Sequence, residues 1–104
     1  MKIATWNVNS LKVRLPQVLQ WLTDNPVDVL CLQETKTVDE KFPVAEIEAA
    51  GYQVVYTGQK TYNGVAILSR HPITDVVKNN PLFEDEHQRV IIGTIQGVRI
   101  ILSL

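Results

Sequence analysis

The first third of the chain alternates short apolar runs with a stretch of helical spacing. Residues 2–6 and residues 27–32 are apolar runs that end in polar residues, which is typical of buried strands. Between them, apolar residues recur at helical spacing from Val18 to Leu22, and Pro16 suits the first turn of a helix. The same face continues back to Leu11, which leaves an earlier start open. The pattern predicts a βαβ unit with parallel strands and a right-handed crossover.

The rest of the chain has mainly the spacing of strands. Residues 39–50 predict a short helix, with Pro43 near its first turn and Gly51 past its end. After it come five strand-like runs separated by turn signals, at residues 52–57, 65–70, 73–78, 89–95 and 98–104. These runs predict an antiparallel meander. The predicted fold class is therefore α/β, with a mixed β-sheet and helices on one face.

Composition places the chain among globular proteins and sets limits on its partners. Residues 1–104 suit a single domain, and no stretch approaches the length of a membrane span. We therefore expect a soluble, cytoplasmic protein without a membrane partner. The net charge of −1 supplies no global attraction for phosphate, so any affinity for nucleic acid must come from a local cluster of Lys and Arg. The single cysteine, Cys31, lies in an apolar run and is interpreted as a buried core residue.

The last predicted strand is apolar up to the final residue of the sequence. Residues 100–104 carry no turn residue, cap or charged tail, whereas domains usually end in surface-seeking residues. The expectation from this pattern is that the domain is cut in mid-sheet after Leu104. An unpaired apolar edge favours pairing with another chain, so self-association of the isolated chain is expected as well.

Polar side chains follow both strands of the βαβ unit. Asn7 comes after the first strand and Glu34 after the second, so both belong to the same rim of the sheet. A carboxylate suits Mg²⁺, which takes one or two protein carboxylates and fills its shell with water and substrate phosphate. An amide can orient a phosphate oxygen or a neighbouring carboxylate. Taken alone, each residue has a plainer explanation, because polar residues after buried strands are ordinary loop chemistry.

The amino-acid sequences of the two loops also resemble those of a known family. Trp6-Asn7-Val8-Asn9-Ser10-Leu11 and Leu32-Gln33-Glu34-Thr35-Lys36 resemble the first two motifs of the exonuclease III and abasic-site (AP) endonuclease family, within the endonuclease/exonuclease/phosphatase superfamily. The resemblance implies the N-terminal half of a DNase I-like four-layer α/β sandwich. It also implies a magnesium-dependent DNA-repair nuclease, for which Mn²⁺ is possible, with 3′-5′ exonuclease and AP endonuclease activity on double-stranded DNA that includes abasic sites.

By this resemblance the residues of the two loops receive separate roles. Glu34 is expected to bind the metal, and Asn7 to act in the catalytic site. Asn9 and Gln33 are expected to orient the Glu34 and Asn7 side chains by contacting them from outside the metal and phosphate site. One departure from the commonest family pattern is Ser10, where many relatives have Gly.

A second set of residues is expected on the DNA face. Lys12 and Arg14 fall in the segment that family members lay against the DNA backbone, and the remaining members of this set are Lys36, Lys60, Tyr62 and Asn63. For the four cations the alternative is a solvated surface charge, because exposed Lys and Arg are the surface default. For Tyr62 the alternative is an aromatic packed on its hairpin.

The resemblance also implies that much of the active site is missing. The family's later catalytic residues, including its closing Asp and His, would lie beyond Leu104, so the chain alone is expected to be inactive or nearly so. Two other interpretations stay open. One is a phosphoesterase of the same superfamily that acts on a phosphorylated lipid or small molecule, and the other is a non-catalytic module that binds DNA or a partner.

The four cations generate a first prediction. If Lys12, Arg14, Lys36 and Lys60 all contact phosphate, the logarithm of DNA affinity falls with the logarithm of salt concentration at a slope of roughly −3 to −4, because each contact releases counterions. A filter-binding series over salt concentration measures the slope. A slope near zero would remove the DNA-face assignment.

Overall fold

The computed structural model describes residues 1–59, 61–78 and 89–104. Helices and a 3₁₀ turn alternate with strands in the first half, and strands alone follow. The elements are β1 (Ile3–Asn7), α1 (Leu11–Asp24), β2 (Val29–Gln33), a 3₁₀ turn (Asp39–Lys41), α2 (Val44–Ala49), β3 (Gln53–Thr57), β4 (Val65–Ser69), β5 (Thr74–Lys78), β6 (Val90–Ile95) and β7 (Val98–Ser103). In the described part of the chain, no helix is long and apolar enough to cross a membrane.

The strands form two separate sheets. The first has the order β1-β2-β4-β3, with β1 and β2 parallel and the other neighbours antiparallel. The second is an antiparallel sheet with the order β5-β6-β7. The parallel βαβ start and the mixed sheet are confirmed. The expectation that the chain holds only one sheet is wrong, because the chain leaves the first sheet after Ser69 and begins the second at Thr74.

The second sheet separates because the central strands β2 and β4 need cover on both faces. On one face, Leu30 and Leu32 of β2 belong to the core cluster that contains the helices. On the other face, Val29 and Cys31 belong to a second cluster, which includes Ile91 of β6. A further strand at the edge of the first sheet would have covered neither face of β2 and β4. A second sheet packed against the first buries the side chains of the second cluster.

The same division holds for β4 and for the second sheet. Ala66 and Leu68 face the helices, while Val65 and Ile67 face β6 and β7. All four residues are fully buried. The layers are therefore helices, the mixed sheet and the antiparallel sheet. Runs that are apolar throughout, with no polar alternation, are typical of strands buried on both faces.

The helices differ from the predicted ones near their prolines. Pro16 lies inside α1 and not in its first turn, because the helix begins at Leu11. The predicted helix over residues 39–50 is interrupted, since only the 3₁₀ turn and α2 are helical. Pro43 explains the break: Phe42 before it is extended, with φ −64° and ψ 133°, as sterics require of a residue that precedes proline.

Cys31 occupies the core position that the sequence predicts. Cys31 is buried and forms no disulfide, and burial raises the pKa of its thiol to about 11. Its low thiolate content at neutral pH fits a core residue rather than a nucleophile. Trp6 and Trp21 are half-buried, and their rings meet edge to face at a centroid distance of 6.1 Å, so they tie β1 to α1.

A polar junction links the two sheets at the end opposite the loops that follow β1 and β2. Asp28 Oδ1 lies 2.8 Å from His71 Nε2, and the Lys2 N–H donates to Asp28 Oδ2 at 2.7 Å. On its other side, His71 Nδ1 lies 3.3 Å from Nε2 of Gln96, in the turn between β6 and β7. The Lys2 hydrogen bond, followed by the His71 contact, lowers the pKa of Asp28 to about 2.

The Asp28 junction gives a prediction about pH. The folded-state pKa of Asp28 lies below its ordinary value of 3.8, so its carboxylate stabilises the fold above about pH 3.8, and this stabilisation is lost as the pH falls toward 2. Asp28→Asn should flatten the acid limb of the stability curve. Melting temperature between pH 7 and pH 2 is the measurement, with Asp24→Asn at the end of α1 as the matched control. Superimposable acid limbs for wild type and Asp28→Asn would contradict the prediction.

Candidate active site at the carboxyl ends of the first two strands

The parallel pairing of β1 and β2 brings their carboxyl ends to one rim of the sheet. Asn7 and Gln33, the last residues of the two strands, are partners in register. The loops after them therefore begin side by side. Backbone hydrogen bonds continue the pairing past the strands: the Val8 N–H donates to the Gln33 carbonyl at 3.0 Å and the Ser10 N–H to the Glu34 carbonyl at 2.9 Å. Asn7 therefore ends β1, and not the loop after it as predicted, while Glu34 follows β2; the two residues lie at one rim of the sheet, as the sequence predicts.

A third loop, the one between β3 and β4, contacts the loop after β2 at Thr35 and Lys36. The Thr35 N–H donates to the Gly64 carbonyl at 3.2 Å, and the Lys36 N–H donates to the Asn63 carbonyl at 2.9 Å. From the other side, the Leu11 N–H donates to the Thr35 carbonyl at 2.9 Å. The loop after β2 is held on both sides by backbone hydrogen bonds, so the position of Glu34 is fixed by the neighbouring chain segments.

These three loops hold most of the unusual backbone geometry of the described chain. Eight described residues other than glycine have positive φ, and six of them lie here: Asn9, Ser10, Glu34, Lys36, Thr61 and Asn63. Positive φ is sterically unfavourable for residues with a Cβ and persists where the surroundings enforce it. Glu34 itself has a φ of 55°. Concentrated strain of this kind is a feature of functional sites.

The side chains of Asn7, Asn9 and Lys36 form a short chain of contacts. Asn7 Oδ1 accepts a hydrogen bond from the Asn9 N–H at 3.1 Å, which closes a turn at the end of β1. Asn9 Oδ1 in turn accepts from Lys36 Nζ at 2.5 Å. The arrangement ties the loop after β1 to the loop after β2. The Asn7 amide oxygen accepts one of these hydrogen bonds. The N–H groups of the same amide remain able to donate to a ligand.

Glu34 supplies the carboxylate of the site. It is half-buried and forms no ion pair with any described residue. Within residues 1–59, 61–78 and 89–104, no three side chains of His, Cys, Asp or Glu come together as a ready-made metal cage. The donor set nevertheless fits part of a magnesium shell, because Mg²⁺ is held by one or two carboxylates and otherwise by water and substrate phosphate.

The Gln33 side chain forms its hydrogen bonds with residues of β1 and β2. Its Nε2 atom donates to Thr5 Oγ1 and, at 3.5 Å, to the Cys31 carbonyl. Both partners precede it on β1 and β2. Among the described residues, no hydrogen bond joins the Gln33 side chain to Glu34, so its contacts tie the two strands together at their ends.

The residues predicted for DNA contact surround this rim. Lys12 is exposed, while Arg14 and Lys36 are half-buried. Tyr62 is 66% exposed, so little of its side chain packs on the described part of the hairpin. Asn63 Nδ2 donates to Gln59 Oε1 at 3.2 Å. Lys60, the remaining member of this set, lies outside the described residues.

A groove of about 420 Å³ opens beside the rim, between the start of α1 and the turn that follows the Glu34 loop. Three of its lining residues are lysines, namely Lys12, Lys36 and Lys41. Lys41 is not among the residues predicted from the sequence. Its position five residues after Lys36 in a polar turn was the available signal, but only the fold places it across from α1.

The contact between Thr35 and Gly64 was not predicted from the sequence either. Thr35 is fully buried, and its Oγ1 atom has no hydrogen-bond partner among the described residues. Gly64 has a φ of +93°, and a Cβ added there would lie 2.1 Å from Thr35 Oγ1. The third loop can therefore approach the Glu34 loop only with glycine at this position.

Comparisons with known proteins place these loops in a family context. Residues 4–103 match the model of the endonuclease/exonuclease/phosphatase family. Exodeoxyribonuclease III of Haemophilus influenzae is 34% identical over 97 residues, which cover 92% of this chain and 36% of that protein. Enzymes of this family generally depend on divalent metal ions.

Two solved structures share the fold. A 3′ phosphatase from Neisseria, bound to a product DNA hairpin, is 55% identical with a TM-score of 0.94 and covers 97% of this chain and 40% of its own. An AP endonuclease from Archaeoglobus fulgidus is 42% identical with a TM-score of 0.92 and covers 100% of this chain and 40% of its own. The chain therefore spans no more than 40% of the length of these three relatives. The likeness confirms the predicted fold class.

The close approach of Gly64 to Thr35 gives a prediction about stability. Gly64→Ala should destabilise the protein by about 1–3 kcal/mol more than Gly51→Ala, because the added methyl group meets a buried side chain as well as an unfavourable φ. Gly51 is a matched control, since its φ is +92° and nothing lies within 4 Å of an added Cβ. Urea unfolding measures both. Equal losses of stability for the two variants would show that the contact is not tight.

Proposed function

Because the chain belongs to the endonuclease/exonuclease/phosphatase family, we propose that it forms the metal-binding part of a magnesium-dependent DNA-repair nuclease. The observation that carries the proposal is the joining of the Asn7 and Glu34 loops on one rim by backbone hydrogen bonds. The relatives named above act in the same area of chemistry, as an exodeoxyribonuclease III, a 3′ phosphatase and an AP endonuclease. The reaction is hydrolysis of DNA phosphodiesters, with cleavage at abasic sites and removal of nucleotides from 3′ ends.

Glu34 has the role of metal ligand in this proposal. Its carboxylate has no cationic partner among the described residues, so its charge is available to a metal ion. Mg²⁺ bound there supplies neutralisation of charge on the phosphate and orientation of the attacking water, and Mn²⁺ has the same preference for oxygen ligands. Backbone hydrogen bonds from the Ser10 N–H to the Glu34 carbonyl and from the Thr35 N–H to the Gly64 carbonyl hold the backbone at Glu34 in place.

Asn7 has the role of orienting the substrate phosphate. Its Oδ1 atom is engaged by the Asn9 N–H, which leaves its amide N–H groups to donate to a phosphate oxygen. Lys36, held by Asn9, adds a positive charge at the same edge. Asn9 thus supports both groups. Gln33 contributes by fixing the strand ends, because its side chain contacts β1 and β2 rather than the rim.

Double-stranded DNA is the proposed partner of the rim. The exposed Lys12 and Tyr62 and the half-buried Arg14 and Asn63 are arranged around it. The 3′ phosphatase that resembles this chain was solved with a DNA hairpin. Cations and an exposed aromatic beside a metal ligand suit a duplex with a damaged or terminal nucleotide, since phosphates position the strand while the ring meets sugar or base edges.

The chain spans at most 40% of the length of the relatives named above, so we assign the complete reaction to a protein with further segments. Positioned acid–base groups contribute about 10²- to 10⁴-fold to such reactions, and the described residues hold few of them.

In isolation the chain is proposed to self-associate through β7, an edge strand on which Ile101 is 67% exposed. Sedimentation that stays monomeric at high concentration would oppose this.

The main alternative is a phosphoesterase of the same superfamily that acts on a phosphorylated lipid or small molecule. The relatives named above, at 34% to 55% identity, have names that refer to DNA or to abasic sites. The lysines beside the rim also suit a polyanion better than a single phosphate. Turnover of abasic duplex, compared with turnover of inositol phosphates, separates the two substrates.

Loss of the Glu34 carboxylate gives the central functional prediction. In the protein that contains this chain and hydrolyses DNA, Glu34→Gln should lower activity at limiting Mg²⁺ by about 10²-fold or more, the scale for removing one electrostatic contact with a transition state. The concentration of Mg²⁺ needed for half-maximal activity should rise. Cleavage of an abasic duplex during a Mg²⁺ titration is the measurement.

Glu46→Gln is the matched control for this experiment. Glu46 is exposed on α2 and lines neither the three loops nor the groove, so its neutralisation should leave activity and Mg²⁺ dependence unchanged. Activity of Glu34→Gln equal to that of the control would rule out Glu34 as the metal ligand.

A further inference from the structure

The groove beside the rim is built from three segments that the fold brings together. Ser10, Lys12 and Leu15 come from the start of α1, while Lys36 and the residues after it come from the loop that follows β2. Lys41, at the end of the 3₁₀ turn, lines the groove as well. Because Ser10 and Lys36 also belong to the two loops of the proposed active site, the groove is continuous with that site.

The charged lining of the groove is positive. The lining residues include Lys12, Lys36 and Lys41 and no acidic residue. None of the three lysines forms an ion pair with a carboxylate in the part of the chain that the structure describes. Two acids, Asp39 and Glu40, directly precede Lys41 in the sequence. Asp39 accepts a hydrogen bond through Oδ1 from the Gly58 N–H at 2.9 Å. Three positive charges therefore line one concavity of a chain whose net charge is −1.

The remainder of the lining is largely apolar. Leu15, Val38 and Pro43 contribute to it, together with Thr37. A surface that combines apolar side chains with cations matches the backbone of a nucleic acid strand, in which apolar sugar faces alternate with phosphates. An acidic peptide presents flexible carboxylates without a regular apolar repeat, so it matches this lining less well.

We propose that this groove binds the sugar–phosphate backbone of the DNA strand beside the reacting phosphate, with Lys41 as a phosphate contact. Lys12 and Lys36 lie on the side of the groove next to the active site, whereas Lys41 extends the positive surface along the turn that follows β2. The groove thereby lengthens the DNA-binding face beyond the residues that the sequence motifs indicate. The inference rests on the proposed nuclease function, since that function supplies the DNA.

The test is DNA binding as a function of salt in the protein that contains this chain, with fluorescence anisotropy of a labelled duplex as the measurement. Lys41→Gln should reduce the magnitude of the slope of log affinity against log salt by about 0.9, the value for one phosphate contact on B-form DNA. Near 0.1 M salt the affinity should fall by about five- to tenfold, the contribution of one such contact. Lys41→Arg should restore both quantities, because the guanidinium also binds phosphate.

Lys2→Gln is the matched control, because Lys2 is an exposed lysine just before β1, at the opposite end of the first sheet. It should leave the slope unchanged. Thermal melting of each variant establishes that the fold is retained. A slope and affinity for Lys41→Gln equal to those of Lys2→Gln would overturn the proposal. So would competition by poly-glutamate as effective as competition by DNA, since that would identify the groove as a site for acidic peptides.

The two proposals fail in different ways. If Lys41→Gln has no effect on DNA affinity while Glu34→Gln still abolishes magnesium-dependent cleavage, the groove assignment is wrong and the nuclease function stands. If the wild-type protein cleaves no DNA at any Mg²⁺ concentration, the nuclease function is wrong, and the groove proposal falls with it.

Discussion

Burial of both faces of β2 and β4 is the constraint on which the rest of the structure depends. Alternate residues of β2, such as Leu30 and Val29, enter separate cores, one under the helices and one under the second sheet. Neither face could be left in water without exposing a row of apolar side chains. The helices and the antiparallel sheet are therefore both required, and the central strands are fixed from two sides. The rim at the carboxyl ends of β1 and β2 inherits this rigidity.

The candidate site is held mainly by backbone hydrogen bonds. Bonds from Ser10, Leu11, Thr35 and Lys36 join the three loops in a continuous ladder that extends the pairing of the sheet. Such bonds depend on strand register and not on the identity of most side chains. They can also hold residues such as Glu34 in backbone conformations that an isolated loop would avoid. The fold thus fixes the backbone from which the Glu34 side chain projects, and none of these bonds uses the carboxylate.

The charges of the molecule are separated along the sheet. At one end, Asp28 is paired with His71 and forms part of a junction between the sheets. At the other end, Glu34 and the lysines of the groove have no such partners among the described residues. Paired charges stabilise structure, whereas unpaired charges in a concave region attract ions of opposite sign. A nearly neutral chain can in this way present three lysines in one groove beside the Glu34 loop.

The sequence by itself determined the local features. Strand runs, the βαβ start, the buried Cys31 and the loops of Asn7 and Glu34 could all be predicted, because each depends on the spacing of apolar residues or on a short motif. Only the tertiary structure decided the division into two sheets, the groove at Lys41 and the fit of Gly64 against Thr35. These features join residues far apart in the chain. Their physical basis is the packing of one layer on another, which no local pattern encodes.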